Sequence, residues 1–138
     1  MYLLDTNVIS EARKGEQANT GVKAFFKQII LENSPVYISV ITIGELRRGV
    51  DLISYRGDLK QARILQIWLE SILVEYKEYI LNFDSEIAQL WGRLRVPSYE
   101  NALDKQIAAT AIIYDLTVVT RNTKDFLKTG VKVHNPFN

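Results

Sequence analysis

The sequence contains no cysteine and a single histidine, His134, which excludes disulfides, thiolate metal sites, thiol nucleophiles and acid–base chemistry by a histidine pair. Long apolar runs are missing too. The apolar start has no basic lead and is interrupted by Asp5, and charge breaks every later run, so neither a signal peptide nor a membrane span is expected and a cytoplasmic setting is. No polybasic tail advertises nucleic acid, because the formal net charge is only +1. That balance can still be local: acids gathered at one site leave basic pairs elsewhere, such as Arg13 with Lys14, Arg47 with Arg48, Arg93 with Arg95, and Arg121 with Lys124 and Lys128. Repeats, linkers and low-complexity stretches are absent as well. With 138 residues, 47% of them hydrophobic and 24% charged, residues 1–138 are expected to form one domain with a core that needs no staples.

What is present alternates between short β-rich runs and longer helical ones. MYLLDT and VYIS read as strands, LTVVT as a third, and VKV as a closing one. Between them, helical spacing covers Val8 to Arg13, residues 20 to 32, ITIGELRRGVDLIS, Asp58 to about Tyr79, residues 84 to 95 and Asn101 to about Tyr114, with TKDFL as a short helix. Strands separated by helices imply an α/β fold in which a central parallel sheet is flanked by helices on both faces. On the long helix, Ile64, Ile67, Trp68 and Ile72 offer more apolar surface than one inward face needs. Trp91, four residues after Ile87, is expected to pack, and His134 to lie at the surface or at an interface.

Ligands of open parallel sheets bind beyond the carboxyl ends of the strands, and that is where acids recur here. Asp5 ends the first strand, Glu45 opens the helix after VYIS, Asp104 lies in the first turn of the helix from Asn101, and Asn122 with Asp125 follows LTVVT. Helix capping offers a bland account of several: Thr42 with Glu45 as a capping box, Asn101 with Asp104 more loosely, and Asn122 over the helix that holds Asp125. Asp5 fits capping least, since the residues after it give little helix start of their own, and an Asx-turn is the surviving structural account. Converging carboxylates repel one another unless a cation is present. An all-oxygen set without His or Cys favours Mg²⁺ or Mn²⁺ over zinc, and such ions support phosphoryl chemistry.

The stretches LLDTNVISE, ITIGELRRG, DKQIAATA and VVTRNTKDF, in this order, resemble the PIN-domain ribonucleases, specifically the VapC-type toxins of bacterial toxin–antitoxin pairs, and VKVHNPFN resembles their ending. The resemblance spans essentially the whole chain. It implies a PIN domain acting as a Mg²⁺-dependent endoribonuclease, with Mn²⁺ able to substitute, whose RNA cleavage is restrained by a cognate antitoxin and which forms a homodimer. Carried over by position, Asp5, Glu45 and Asp104 are the catalytic ligands. The fourth acidic place, where many relatives have Asp, is Asn122 here, with Asp125 three residues on as the remaining candidate ligand. Thr6, Asn7 and Thr120 would orient the carboxylates or a bound water, and Arg121 would meet substrate phosphate or pair with an acid.

Rival readings leave distinct marks. An aspartate-nucleophile phosphatase wants a second Asp two residues after the first, where this chain has Asn7, and a response-regulator receiver wants an early acidic pair that is missing. A non-catalytic module of the same fold that binds RNA or a protein partner is the alternative from another class. Metal-dependent cleavage of RNA separates it from the enzyme.

Overall fold

The computed structural model describes all of residues 1–138. Its strands are β1 (Tyr2–Leu4), β2 (Val36–Ser39), β3 (Ile80–Leu81), β4 (Thr117–Val119) and β5 (Val133–His134), joined in one sheet of order β3-β2-β1-β4-β5. Every pairing is parallel, with Tyr2 between Val36 and Thr117, and Leu4 beside Val119. The helices are α1 (Thr6–Ala12), α2 (Thr20–Leu31), α3 (Val40–Tyr55), α4 (Leu59–Glu75), α5 (Ser85–Leu94), α6 (Ala102–Ile113) and α7 (Thr123–Phe126).

Side chains alternate across a strand, and the two faces of this sheet bury two separate clusters. Leu4, Ile38 and Val119 face Val8, Phe25, Leu46 and Leu69, which come from α1 to α4. Leu3 and Val118 face Ile107, Ala108, Ala111 and Phe126 from α6 and α7. The α/β architecture with helices on both faces is therefore the one the alternation implied. No helix is long and apolar enough to cross a membrane.

Several boundaries differ from the sequence expectation, each for a local reason. The long helix stops at Glu75 instead of Tyr79, and β3 follows almost at once on the edge of the sheet beside β2. A two-residue edge strand has no periodicity to find. Helix α1 begins at Thr6, directly after the strand, because Asp5 itself is its N-cap, with extended backbone (φ −79°, ψ 160°) and Oδ1 accepting from Thr6 N. Helix α3 begins at Val40 with Ser39 as cap, its Oγ accepting from Ile41 N. Thr42 is thus no cap; it lies inside the helix, buried, with its hydroxyl unpartnered, and Glu45 sits in the second turn. Neither Asn101 nor Asn122 caps through its side chain, and Asn101 holds a left-handed backbone.

The aromatic expectations hold. Trp91 packs edge-on to Phe83 and donates its indole N–H to Ala102 O at 3.0 Å. His134 is exposed at the end of β5, its ring beside Phe25. On α4, Leu69 and Ile72 turn into the core while Ile64 and Ile67 stay exposed, so the helix carries apolar residues on two faces.

Candidate functional site

Strand order reverses at β1: the chain leaves it for β2 on one side and returns as β4 on the other. The crevice beyond the carboxyl ends of β1 and β4 is the topological switch point, where open parallel sheets bind ligands. Asp5 and Thr120 are the first residues past those two strands, and both are buried.

Burial of Asp5 is tolerable because its oxygens are occupied. Thr120 Oγ1 donates at 2.8 Å to Asp5 Oδ2, Asn7 Nδ2 donates to the same oxygen at 3.3 Å, and Thr6 N donates to Oδ1 at 2.8 Å. Thr120 Oγ1 in turn accepts from Asn7 Nδ2 at 3.3 Å and Asn122 N at 3.0 Å, which uses its full capacity. Asn7 Oδ1 accepts from Arg121 N at 3.1 Å. Asp5 therefore caps α1 and anchors the crevice at once, and the two roles expected to compete are filled by one carboxylate. Burial raises its pKa, and the hydrogen bonds from Thr120, Thr6 and Asn7 hold that rise back.

The other acids arrive from three helices. Glu45 projects from α3 and accepts from Thr6 Oγ1 at 3.2 Å; burial, with repulsion from Asp5, raises its pKa. Asp104, in the first turn of α6, is pushed up to about 7, chiefly by burial and then by Asp5, Asp125 and Glu45 in turn, with a hydrogen bond to Asp125 favouring its protonated form. Asp125 lies on α7, and its charge acts on both Asp5 and Asp104. The fold thus brings together Asp5, Glu45, Asp104 and Asp125. Asn122 contributes its backbone N–H to Thr120, and Asp125 is the fourth carboxylate of the group. Thr6 donates to Asp5 and Glu45, and Asn7 and Thr120 donate to Asp5.

The donor set suits a hard divalent cation: oxygen only, with more negative charge than the site holds comfortably. As they stand, no three of these side chains form a ligand cage, so an ion would have to draw them closer. Beside the acids lies a cleft of about 280 Å³ lined by Arg121, Asn122, Thr123, Lys124 and Asp125, with no apolar residue. Sequence reasoning missed one neighbour of the crevice. Phe137, from the C-terminal segment, stacks on the Arg121 guanidinium at 4.9 Å, and no local pattern signals a pairing between residues so far apart in the chain.

A parallel five-stranded sheet of this order with acids at its switch point defines a class, and sequence comparison gives its name. The chain belongs to the PIN-domain family, whose model matches residues 2–132. Toxin FitB of Neisseria gonorrhoeae is 42% identical over 146 aligned positions, covering 100% of this chain and 99% of FitB. VapC ribonuclease Y4jK of Sinorhizobium fredii is 32% identical, covering 99% of this chain and 98% of its own. Among solved structures, FitAcB from Neisseria gonorrhoeae superposes with a TM-score of 0.85 at 42% identity, covering 99% of this chain and 98% of that one. A toxin–antitoxin complex from Klebsiella pneumoniae does so with a TM-score of 0.66 at 27% identity, covering 100% and 99%.

Proposed function

We propose that this protein is a Mg²⁺- or Mn²⁺-dependent endoribonuclease, the toxin of a toxin–antitoxin pair, which hydrolyses RNA phosphodiester bonds at Asp5, Glu45, Asp104 and Asp125. The observation that carries the reading is the gathering of these acids at the switch point, where burial first and their mutual repulsion second push the Asp104 carboxyl up to about 7. A protein gains nothing in stability from such a cluster, whereas an enzyme that needs a cation gains its site.

Asp5, Glu45, Asp104 and Asp125 would hold the ion. When bound, a divalent cation polarises a phosphoryl oxygen and makes its water a stronger nucleophile. Asp5, fixed by three donors, sets the position of the site. Thr6 restrains Glu45 through its hydroxyl, and Thr120 fastens the β4 end to the β1 end. The names of the relatives support the biological role: FitB is a toxin, Y4jK a ribonuclease, and the Klebsiella neighbour belongs to a toxin–antitoxin complex. By the same reasoning a cognate antitoxin is the partner, and the outward apolar residues of α4 suit a homodimer contact.

A non-catalytic module that binds RNA or protein is favoured by one observation, the lack of a ready three-carboxylate cage. Incubating the purified chain, free of partner, with total RNA decides between the two. Cleavage in Mg²⁺ that stops in EDTA and is lost in Asp5→Asn and Asp104→Asn, both folded, supports the enzyme; intact RNA throughout supports the module.

A further inference from the structure

The guanidinium of Arg121 shares a cleft with the Asp125 carboxylate yet forms no ion pair. None of the four ion pairs in the chain includes Arg121 or Lys124. The one acid that Arg121 does influence, Glu11, has its oxygens taken by Lys14 Nζ at 2.9 Å and Asn19 N at 2.8 Å. What holds the guanidinium is the C-terminal segment. The guanidinium carbon lies over the Phe137 ring, 4.9 Å from its centroid, and the ring's own place is fixed: Phe137 packs against the α1–α4 core, and Asn138 closes a reciprocal cap with α2. In that cap Asn138 Oδ1 accepts from Thr20 Oγ1 at 2.9 Å and Gly21 N at 3.2 Å, and Asn138 N donates to Asn19 Oδ1 at 3.2 Å. The other end of Arg121 is fixed as well, through its N–H to Asn7.

We infer that the cleft between Arg121 and Lys124 seats a phosphate of the RNA strand beside Asp125, and that Phe137 is a positioning residue that keeps Arg121 facing this phosphate. The inference deepens the ribonuclease reading and rests on it. Two cations outnumber the single Asp125 carboxylate in the lining and no apolar residue takes part, the chemistry of a backbone contact and not of base readout. A planar guanidinium whose face rests on a ring leaves its edge donors free for two phosphate oxygens. The C-terminal segment, far from the acids in sequence, thereby becomes part of the substrate site.

Binding of a short fluorescein-labelled 2′-O-methyl oligoribonucleotide, which resists cleavage, followed by anisotropy in EDTA over a range of salt, tests this in the full chain. Arg121→Ala should weaken binding about tenfold and lower the slope of log affinity against log salt by about 0.7, the loss of one phosphate contact on a single strand. Arg121→Lys should restore the slope but not the full affinity. Phe137→Leu should weaken binding several-fold with little change in melting temperature, Phe137→Trp should restore it, and Phe137→Leu should change nothing further once Arg121 is Ala. A Phe137 effect that persists unchanged without Arg121 overturns the positioning role. Equal binding by wild type and Arg121→Ala, or no binding by the wild type, overturns the subsite. Cleavage of total RNA in Mg²⁺ is read separately, so an inactive chain with the expected binding pattern overturns the ribonuclease reading and leaves the subsite standing.

Discussion

Replacing Asp104 by Asn should stabilise the metal-free protein at neutral pH and leave it unchanged in acid. The carboxyl of Asp104 moves from an ordinary value of 3.8 to about 7 in the folded state. Below the unfolded value both states hold the proton, and folding costs nothing on this account. As pH rises from there, the unfolded chain ionises first, so stability drains away until the folded carboxyl ionises too, near 7. A rise of about three units corresponds to a ceiling of ~4 kcal/mol, at ~1.36 kcal/mol per unit. Asp104 is only partly buried, so solvent screening cuts this to roughly 1–2 kcal/mol. Asn cannot ionise, keeps the shape, and retains a donor toward Asp125. In EDTA at pH 8 its melting temperature should exceed the wild type by roughly 3–10 °C, taking about 3–5 °C per kcal/mol for a domain of this size. Near pH 4 the two melts should nearly coincide. The assay is a set of thermal melts by circular dichroism at constant ionic strength. A gain that does not depend on pH, or a variant less stable than wild type at pH 8, would show that burial and the neighbouring acids do not hold the Asp104 carboxyl up.

Three further outcomes follow from the same geometry. Mn²⁺ should raise the melting temperature of the wild type by an amount equivalent to about 2.7 kcal/mol at a hundredfold excess over its Kd, and much less for Asp5→Asn, in which Asn still caps α1; equal shifts would remove Asp5 from the ligand set. Thr120→Val should cost about 1–3 kcal/mol in a denaturant titration, because it leaves Asp5 Oδ2 and Asn122 N without their buried partner, and an unchanged midpoint would contradict the network. Sedimentation should find a dimer at micromolar concentration that Ile64→Glu with Ile67→Glu converts to monomer, whereas a wild-type monomer would leave the outer face of α4 without this role.

The parts legible in the sequence were those with a period or a chemical signature. β1, β2 and β4 announced themselves as β-branched or apolar runs that end in a polar residue, and their alternation with helices implied both the parallel order and the side of the sheet where acids gather. Helix starts were read poorly for one physical reason. At β1–α1 and β2–α3 the chain passes from strand to helix with no loop, so the cap is the residue that ends the strand, Asp5 or Ser39. Capping rules that look for Ser, Thr, Asp or Asn after a turn therefore settled on Thr42, which is inside the helix. Asp125 sits three residues beyond the place where the family resemblance puts the fourth acid. A single helical turn at α7 brings its charge back to Asp5 and Asp104. Phe137 against Arg121 had no signal, since the pairing depends on the C-terminal segment crossing to α2.

The hydrogen bond from Thr120 to Asp5 joins residues 115 apart in the chain. During synthesis, at ~5–20 residues per second, roughly 6–23 s separate the two, and in that interval the first strand has neither its central neighbour nor the partner of its carboxylate. No fragment that stops short of β4 can assemble the acids, because two of the crevice's walls and Asp125 have yet to be made. A polypeptide unfinished on the ribosome, or cut before its last quarter, therefore lacks Thr120 and Asp125: the order of the strands acts as a delay that withholds the finished crevice until the chain is nearly whole.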